Sequence, residues 1–137
     1  MRKIKFRGKR SDANEWVYGD LIHGVGSKHG FTYILPIAHI YPKGCNELDG
    51  WNVIPETVSK STGLTDKNGK EIYEGDIIRI HEGRDDFKIT SIVWNDEFLC
   101  YEPSNKDLRH NLKSRDSEYY EIIGSIHDNP ELLTNKE

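Results

Sequence analysis

The first candidates for chemistry are five basic residues near the start of the sequence: Lys3, Lys5, Arg7, Lys9 and Arg10. Such residues could contact phosphate groups, with nearby Trp16 and Tyr18 in contact with bases. Lys3, Lys5 and Arg7 alternate with the apolar Ile4 and Phe6. This alternation is also typical of an edge strand whose outward lysines oppose aggregation. The net charge of −4 favours this second interpretation, because it gives the chain no global attraction to nucleic acid. We predict weak or no binding of generic DNA or RNA at physiological salt.

Three histidines and a cysteine are the candidates for metal binding: His23, His29, His39 and Cys45. Their spacing matches no paired-ligand pattern such as C-x-x-C or H-x-x-x-H. We therefore expect no metal site and ordinary surface or hairpin histidines. Cys45 and Cys100 lie in dissimilar settings, and two cysteines are too few for a disulfide framework, so we predict two free thiols.

Enzyme chemistry has little support in the sequence. No nucleophile-elbow motif is present, and Cys100 lies on an apolar strand that is typical of a core. The acidic pairs Asp85-Asp86 and Glu74 with Asp76 are typical of a solvated loop and of a turn, where the Gly-Asp carboxylate accepts backbone N–H bonds. The sequence therefore favours a protein that is not an enzyme, with no catalytic residues and no cofactor.

The densest structural signals lie in the range 62–80. They predict an Asn68-Gly69 turn, a short strand, a second turn at Gly75-Asp76 and a further strand. A similar pair, Gly19-Asp20, follows the strand-like run Trp16–Tyr18. We predict that the two Gly-Asp pairs occupy equivalent turns, either from a duplicated hairpin or from convergence on a common turn pair.

Alternating polar and apolar residues predict more strands beyond this segment. Phe87–Trp94 and Glu97–Tyr101 flank a predicted two-residue turn at Asn95-Asp96. The range 118–126 predicts the last strand, and Asn129-Pro130 predicts a short C-terminal helical turn with an asparagine cap.

The fold class that follows is mainly β, and β-rich α+β at most, in a single domain of 137 residues. We predict a smaller N-terminal β lobe over about 1–57 and a C-terminal lobe over about 58–137 whose strand order resembles a small SH3-like barrel. No apolar run approaches the roughly 20 residues of a membrane span. The basic N-terminus lacks the apolar segment of a signal peptide, so we expect a cytoplasmic protein with no membrane partner.

The segment Phe31–Ile37 carries no charge. If it lies at a sheet edge, it should be covered by residues 38–50 or by another molecule. Phe31, Tyr33 and Ile37 are then candidate anchors for a protein partner or for self-association. In the alternative interpretation, these side chains fill the N-terminal core.

Three motifs in the chain are similar to those of one known family. The run from Val58 to Ile78 resembles the signature of the YopX family, whose proteins are encoded by phages and prophages. The segments KFRGK (5–9) with WVYGD (16–20), and IIGSIHDNPELL (122–133), are similar to the two ends of that family. The resemblance implies a largely β, phage-associated protein in the bacterial host cytoplasm, and it implies no established activity and no catalytic residues. We expect an accessory protein that acts as an interaction module, with nucleic-acid binding through the N-terminal basic residues as the alternative.

Overall fold

The computed structural model describes residues 4–23, 32–35, 51–105, 108 and 111–134, with the backbone alone at positions 22, 23, 32, 33, 35 and 51. The strands are β1 (Phe6–Lys9), β2 (Trp16–His23), β3 (Thr32–Leu35), β4 (Trp51–Asn52), β5 (Ser59–Thr65), β6 (Glu71–Tyr73), β7 (Asp76–His81), β8 (Phe87–Asn95), β9 (Cys100–Pro103) and β10 (Tyr120–Ser125). The 3-10 helices are Pro55–Thr57, Ser114–Tyr119 and Pro130–Leu133. All strand pairings are antiparallel, so the predicted mainly β fold class is confirmed.

The chain divides into two compact units, Met1–Lys60 and Ser61–Glu137. Strand β5 runs from one to the other, because its first two residues pair with β1 and its later residues pair with β6. Among the described residues, no helix has the length and apolar character needed to span a membrane.

In the first unit, strands β4, β3, β2, β1 and the start of β5 are neighbours in that order. Further hydrogen bonds join the residues that follow β4 to the end of β1. Arg10 bridges to Val53, and the Ile54 N–H donates to the Lys9 carbonyl at 2.8 Å. Gly8 makes this approach possible, since a Cβ at that position would lie 3.0 Å from the Cβ of Val53.

The core of the first unit lies on one face of these strands. The buried side chains Val17, Ile34 and Val53 pack together, and the partly buried Phe6, Leu21 and Val58 pack against them. The residues at alternate positions of β1, Arg7 and Lys9, therefore point to the opposite face.

The predicted turn at Gly19-Asp20 is wrong. Both residues lie inside β2, where Gly19 pairs with Phe6 and Asp20 pairs with Leu35. Val17 and Gly19 are buried and Asp20 is exposed, in the alternation of a continuous strand. Pairing on both sides of β2 therefore overrides the local turn preference of the Gly-Asp pair.

The second Gly-Asp pair does form a turn, as predicted. Gly75 has φ +83° between β6 and β7, and the buried Asp76 carboxylate accepts the Tyr73 N–H at 2.8 Å. The two Gly-Asp pairs therefore have unrelated geometries, and the prediction of equivalent turns, with the duplication drawn from it, is wrong.

Strand β3 does not lie at a sheet edge. It pairs with β2 at four positions and with β4 at Tyr33 and Ile34. The condition for strand addition, an open edge, is therefore not met at Tyr33 and Ile34, where β4 occupies the second side. Partner docking or self-association through this segment stays a prediction.

The second unit contains the β5–β6 hairpin and a four-stranded sheet in the order β10-β7-β8-β9. Its core is formed by the buried side chains Ile72, Ile78, Ile92 and Tyr120. Burial raises the pKa of the Tyr120 hydroxyl, whose oxygen accepts the Lys113 N–H at 3.1 Å.

Both edges of this sheet meet other parts of the unit. The Lys67 N–H donates to the Tyr120 carbonyl of β10 at 2.8 Å, and the Leu112 N–H donates to the Tyr101 carbonyl of β9 at 3.2 Å. No pairing between described residues joins β9 to β10. The SH3-like barrel therefore stays a prediction.

The C-terminal helical turn is present as the 3-10 helix Pro130–Leu133, but its predicted asparagine cap is wrong. The Asn129 side chain instead points back to β10, where Oδ1 accepts the Ser125 N–H at 3.4 Å. A Cβ at Gly124 would lie 2.5 Å from that oxygen. The absence of a side chain at Gly124 therefore makes room for Asn129.

Candidate functional site

The most central of the N-terminal basic residues is built into the first unit. Arg7 is only 5% exposed, and its guanidinium carbon lies 4.4 Å from the centre of the Trp16 ring. Its Nε donates to Ser59 Oγ at 3.1 Å. The side chain therefore joins β1, β2 and β5, as expected for a cation stacked on an aromatic ring inside a fold.

The neighbouring basic side chains also have partners within the first unit. Lys9 Nζ donates to Asn14 Oδ1 at 2.6 Å. Arg10 pairs with Asp12 at 2.9 Å and with Glu15 at 3.1 Å. The hydrogen bond from Arg10 lowers the pKa of Asp12, and the pKa of Arg10 is raised in return. The two ion pairs of Arg10 reduce the net positive charge that the cluster could offer to a phosphate.

Other candidates from the sequence are only partly within the described residues. Lys3, Phe31, Ile37, His29, His39 and Cys45 lie outside them. Tyr33 and His23 lie on β3 and β2, with only their backbone described. Within the described ranges, no group of three or more His, Cys, Asp or Glu side chains could hold a metal ion. Cys100 is a half-buried free thiol, as predicted.

The β8–β9 hairpin has a different turn from the predicted one. Asn95 pairs with Cys100, so the turn contains residues 96–99 instead of Asn95-Asp96. Asn95 Oδ1 accepts the N–H groups of Glu97 at 2.9 Å and of Phe98 at 3.1 Å. The asparagine side chain thus satisfies two backbone donors that a two-residue turn would not expose.

We use the name hairpin tip for residues 94–99. Phe98 and Leu99 are 70% and 71% exposed, the largest values among the large apolar side chains that the structure describes. Leu99 has φ +53°, and it is the one non-glycine residue with positive φ in the described part of the chain. The left-handed region costs an ordinary side chain roughly 1–2 kcal/mol.

A ring contact and two hydrogen bonds hold the base of the hairpin tip in place. The Trp94 and Tyr101 rings meet edge to face with centres 4.8 Å apart. The Tyr101 hydroxyl donates to Glu74 Oε1 at 3.0 Å, and Asn95 Nδ2 donates to Glu102 Oε1 at 3.0 Å. The exposed apolar side chains therefore project from a pre-organised base, which lowers the entropy lost when such a surface binds a partner.

A charged cluster occupies another part of the same unit. Glu121 pairs with Lys67 at 3.0 Å and with Arg79 at 2.9 Å. The hydrogen bond from Lys67, with nearby positive charge, lowers the pKa of the Glu121 carboxyl. Arg79 also lies 4.5 Å from the centre of the Phe87 ring. This cluster connects the Asp66–Gly69 turn to the sheet, and partly exposed ion pairs of this kind stabilise a fold only weakly.

Sequence reasoning misses the hairpin tip as a site, because the sequence pattern predicts a strand over Glu97–Tyr101 that includes Phe98 and Leu99. Two signals could have indicated it. Asn95 can organise a turn of several residues through its own side chain. The turn also places two large apolar residues directly after Asp96 and Glu97, where a strand would need alternation.

The fold and this site define a class: a small antiparallel β protein of two units that presents an exposed apolar turn. Within that class, the family model described as YopX protein matches residues 5–134, and the chain belongs to the YopX family. The predicted family resemblance is thereby confirmed. No curated protein matches the chain.

One solved structure is similar to the chain along almost its whole length. It is the crystal structure of protein EF1440 from Enterococcus faecalis, with a TM-score of 0.55 and 24% sequence identity. The match covers 96% of this chain and 98% of that chain. The similarity is one of fold.

Proposed function

We propose that this protein is an interaction module that docks on a partner protein through the hairpin tip. We further propose that it serves as a phage or prophage accessory protein in the cytoplasm of the bacterial host. The observation that carries the docking proposal is Leu99, an apolar residue that is both exposed and in the left-handed backbone region.

Leu99 is unfavourable for the isolated chain in two respects. Glycine or asparagine adopts the left-handed conformation at lower energy. A polar residue would also avoid leaving apolar surface in water, and Leu99 is 71% exposed. Backbone strain of this kind is concentrated at functional sites.

The neighbouring side chain adds to the same surface. Phe98 is 70% exposed, and Trp94, near the end of β8 in the same hairpin tip, is 41% exposed. Burial of a large apolar side chain contributes about 1.5–3 kcal/mol. Aromatic anchors of this type often supply most of the binding energy at protein interfaces.

The phage or prophage role rests on membership of the YopX family, because resemblance to that family implies a phage or prophage origin. A protein made in an infected or lysogenic cell meets host and phage proteins in the cytoplasm. The earlier anchors Phe31, Tyr33 and Ile37 remain a prediction, and so does nucleic-acid binding by the N-terminal basic residues.

The test is affinity capture from lysogenic or infected bacteria with three forms of the tagged protein. These are the wild type, the double variant Phe98→Ser/Leu99→Gly, and the control Ile4→Ser, which removes a 52% exposed apolar side chain in the first unit. We expect a protein partner that is captured by the wild type and by the control and is lost with the double variant. Equal capture by all three forms would disprove docking through the tip. Nucleic acid as the main captured component would support the alternative function.

A further inference from the structure

The hairpin tip lies in a long stretch of the sequence that contains no positively charged residue. Between Lys88 and Lys106 the sequence contains no lysine, arginine or histidine, and it contains the three carboxylates of Asp96, Glu97 and Glu102. Asp96 and Glu97 are exposed in the same turn as Phe98 and Leu99. The apolar surface therefore has acidic neighbours in its own turn.

Two further contacts fix carboxylates close to this surface. Glu102 lies across the hairpin, where its Oε1 accepts a hydrogen bond from Asn95 Nδ2. Glu74 receives the Tyr101 hydroxyl, and Tyr101 packs on Trp94. Two carboxylates therefore lie in the turn with Phe98 and Leu99, and two more are held by hydrogen bonds to Asn95 and Tyr101 at its base.

From this charge distribution we infer that the partner presents an apolar surface with lysine or arginine residues on its rim. This inference rests on the proposed function and adds the chemistry of the partner. A basic rim faces the carboxylates while the apolar surface packs on Phe98 and Leu99, and opposite charges accelerate association and select the partner. An acidic rim, a phosphate backbone or an anionic membrane surface would meet like charge at the tip.

The test uses two synthetic amphipathic helical peptides of about 18 residues, a length at which such helices can form in a bound state. Both have the same leucine face, and one carries lysines where the other carries glutamates. Binding is measured by fluorescence anisotropy of the labelled peptide at low and at physiological salt. We expect the lysine peptide to bind at least tenfold more tightly than the glutamate peptide, with a difference that decreases as salt is added.

The variants locate the effect on the protein. The triple variant Asp96→Asn/Glu97→Gln/Glu102→Gln should bind the lysine peptide about tenfold more weakly, a loss consistent with removal of several charge pairs. The matched control Glu82→Gln/Asp85→Asn/Asp86→Asn also removes three carboxylates and should bind like the wild type. Phe98→Ser should weaken binding of the lysine peptide as well.

Several outcomes would overturn the inference. These are equal binding of the two peptides, absence of binding by both, an equal effect of the two triple variants, or self-association of the wild type through the tip in sedimentation experiments. If capture from cells depends on Phe98 while the peptides show no charge preference, the docking function stands and the basic rim is wrong. If capture is unaffected by the tip variants, the docking function itself is wrong.

Discussion

Two turns of the second unit hold their backbone by the same means and differ in the residue placed in the left-handed region. In the first turn, Asp66 Oδ1 accepts the N–H groups of Asn68 and Lys70, and Gly69 has φ +79°. In the hairpin tip, Asn95 accepts two N–H groups, and Leu99 takes the left-handed position.

The difference extends to the surroundings. Asp66 is only 4% exposed, and its Oδ2 also accepts the Ile122 N–H of β10 at 3.2 Å. The first turn thus connects two strands of the fold. In the hairpin tip, the second contact of the Asn95 side chain goes to Glu102 within the same hairpin, and the side chains of Phe98 and Leu99 face solvent. The same turn chemistry therefore serves stability in one place and, in our proposal, binding in the other.

The largest expected effect is at Asp66. Asp66→Ala should lower the free energy of unfolding by about 3 kcal/mol, because three backbone donors lose their acceptor. Urea denaturation measures the change. The control Asp96→Ala, an exposed residue of the other turn, should change stability by less than about 0.5 kcal/mol. Similar losses for the two variants would contradict the distinction between the turns.

A smaller loss is expected at the glycine of the first turn. Gly69→Ala should cost about 1 kcal/mol from the left-handed backbone alone, because no atom lies within 4 Å of the added Cβ. Thermal and urea unfolding should agree on the sign. An unchanged midpoint would show that Gly69 can move to another conformation without loss.

The opposite substitution in the hairpin tip should be stabilising. Leu99→Gly relieves the backbone strain at φ +53°, partly offset by the greater entropy of glycine in the unfolded state, for a net gain of about 0.5 kcal/mol. The measurement is again urea denaturation, with Leu99→Ala as the control that shortens the side chain and keeps the strain. A loss of stability with Leu99→Gly would mean that Leu99 packs within the fold, and the docking proposal would lose its main support.

The smallest expected effect is the pH dependence from the ion pair that anchors the first turn. The folded state lowers the pKa of Glu121, so its contribution to stability is present at neutral pH and is lost as the pH falls through the acid range of glutamate. Glu121→Gln should therefore reduce the difference in unfolding free energy between about pH 7 and about pH 4. The same pH dependence in variant and wild type would exclude Glu121 as a source.

Some of the fold could be predicted from the sequence because its signals are local. The Asn68-Gly69 turn and the carboxylate of Asp76 depend on residues within four positions, and both are as expected. Gly19-Asp20 has the same local signal, but its neighbours β1 and β3 lie on either side and extend the strand through it.

The candidate site could not be predicted for a related reason. Exposure of Phe98 and Leu99 depends on which residues close the hairpin, and that in turn depends on the Asn95 side chain. A shift from a two-residue turn to a four-residue turn moved both residues from a predicted strand into the loop. The partners of Arg7 and Arg10 could not be predicted either. The spacing of basic residues in the sequence does not show which acidic or aromatic side chains contact them in the fold.

The fit between Gly124 and Asn129 has a consequence for how the chain can change by mutation. Any side chain at Gly124 would meet the Asn129 amide, so the two positions are constrained jointly. In a library randomised at both positions and selected for folded protein, glycine at 124 should be enriched mainly in clones that keep asparagine at 129. Larger residues at 124 should be found together with a small residue at 129. The two positions should therefore covary among the selected clones.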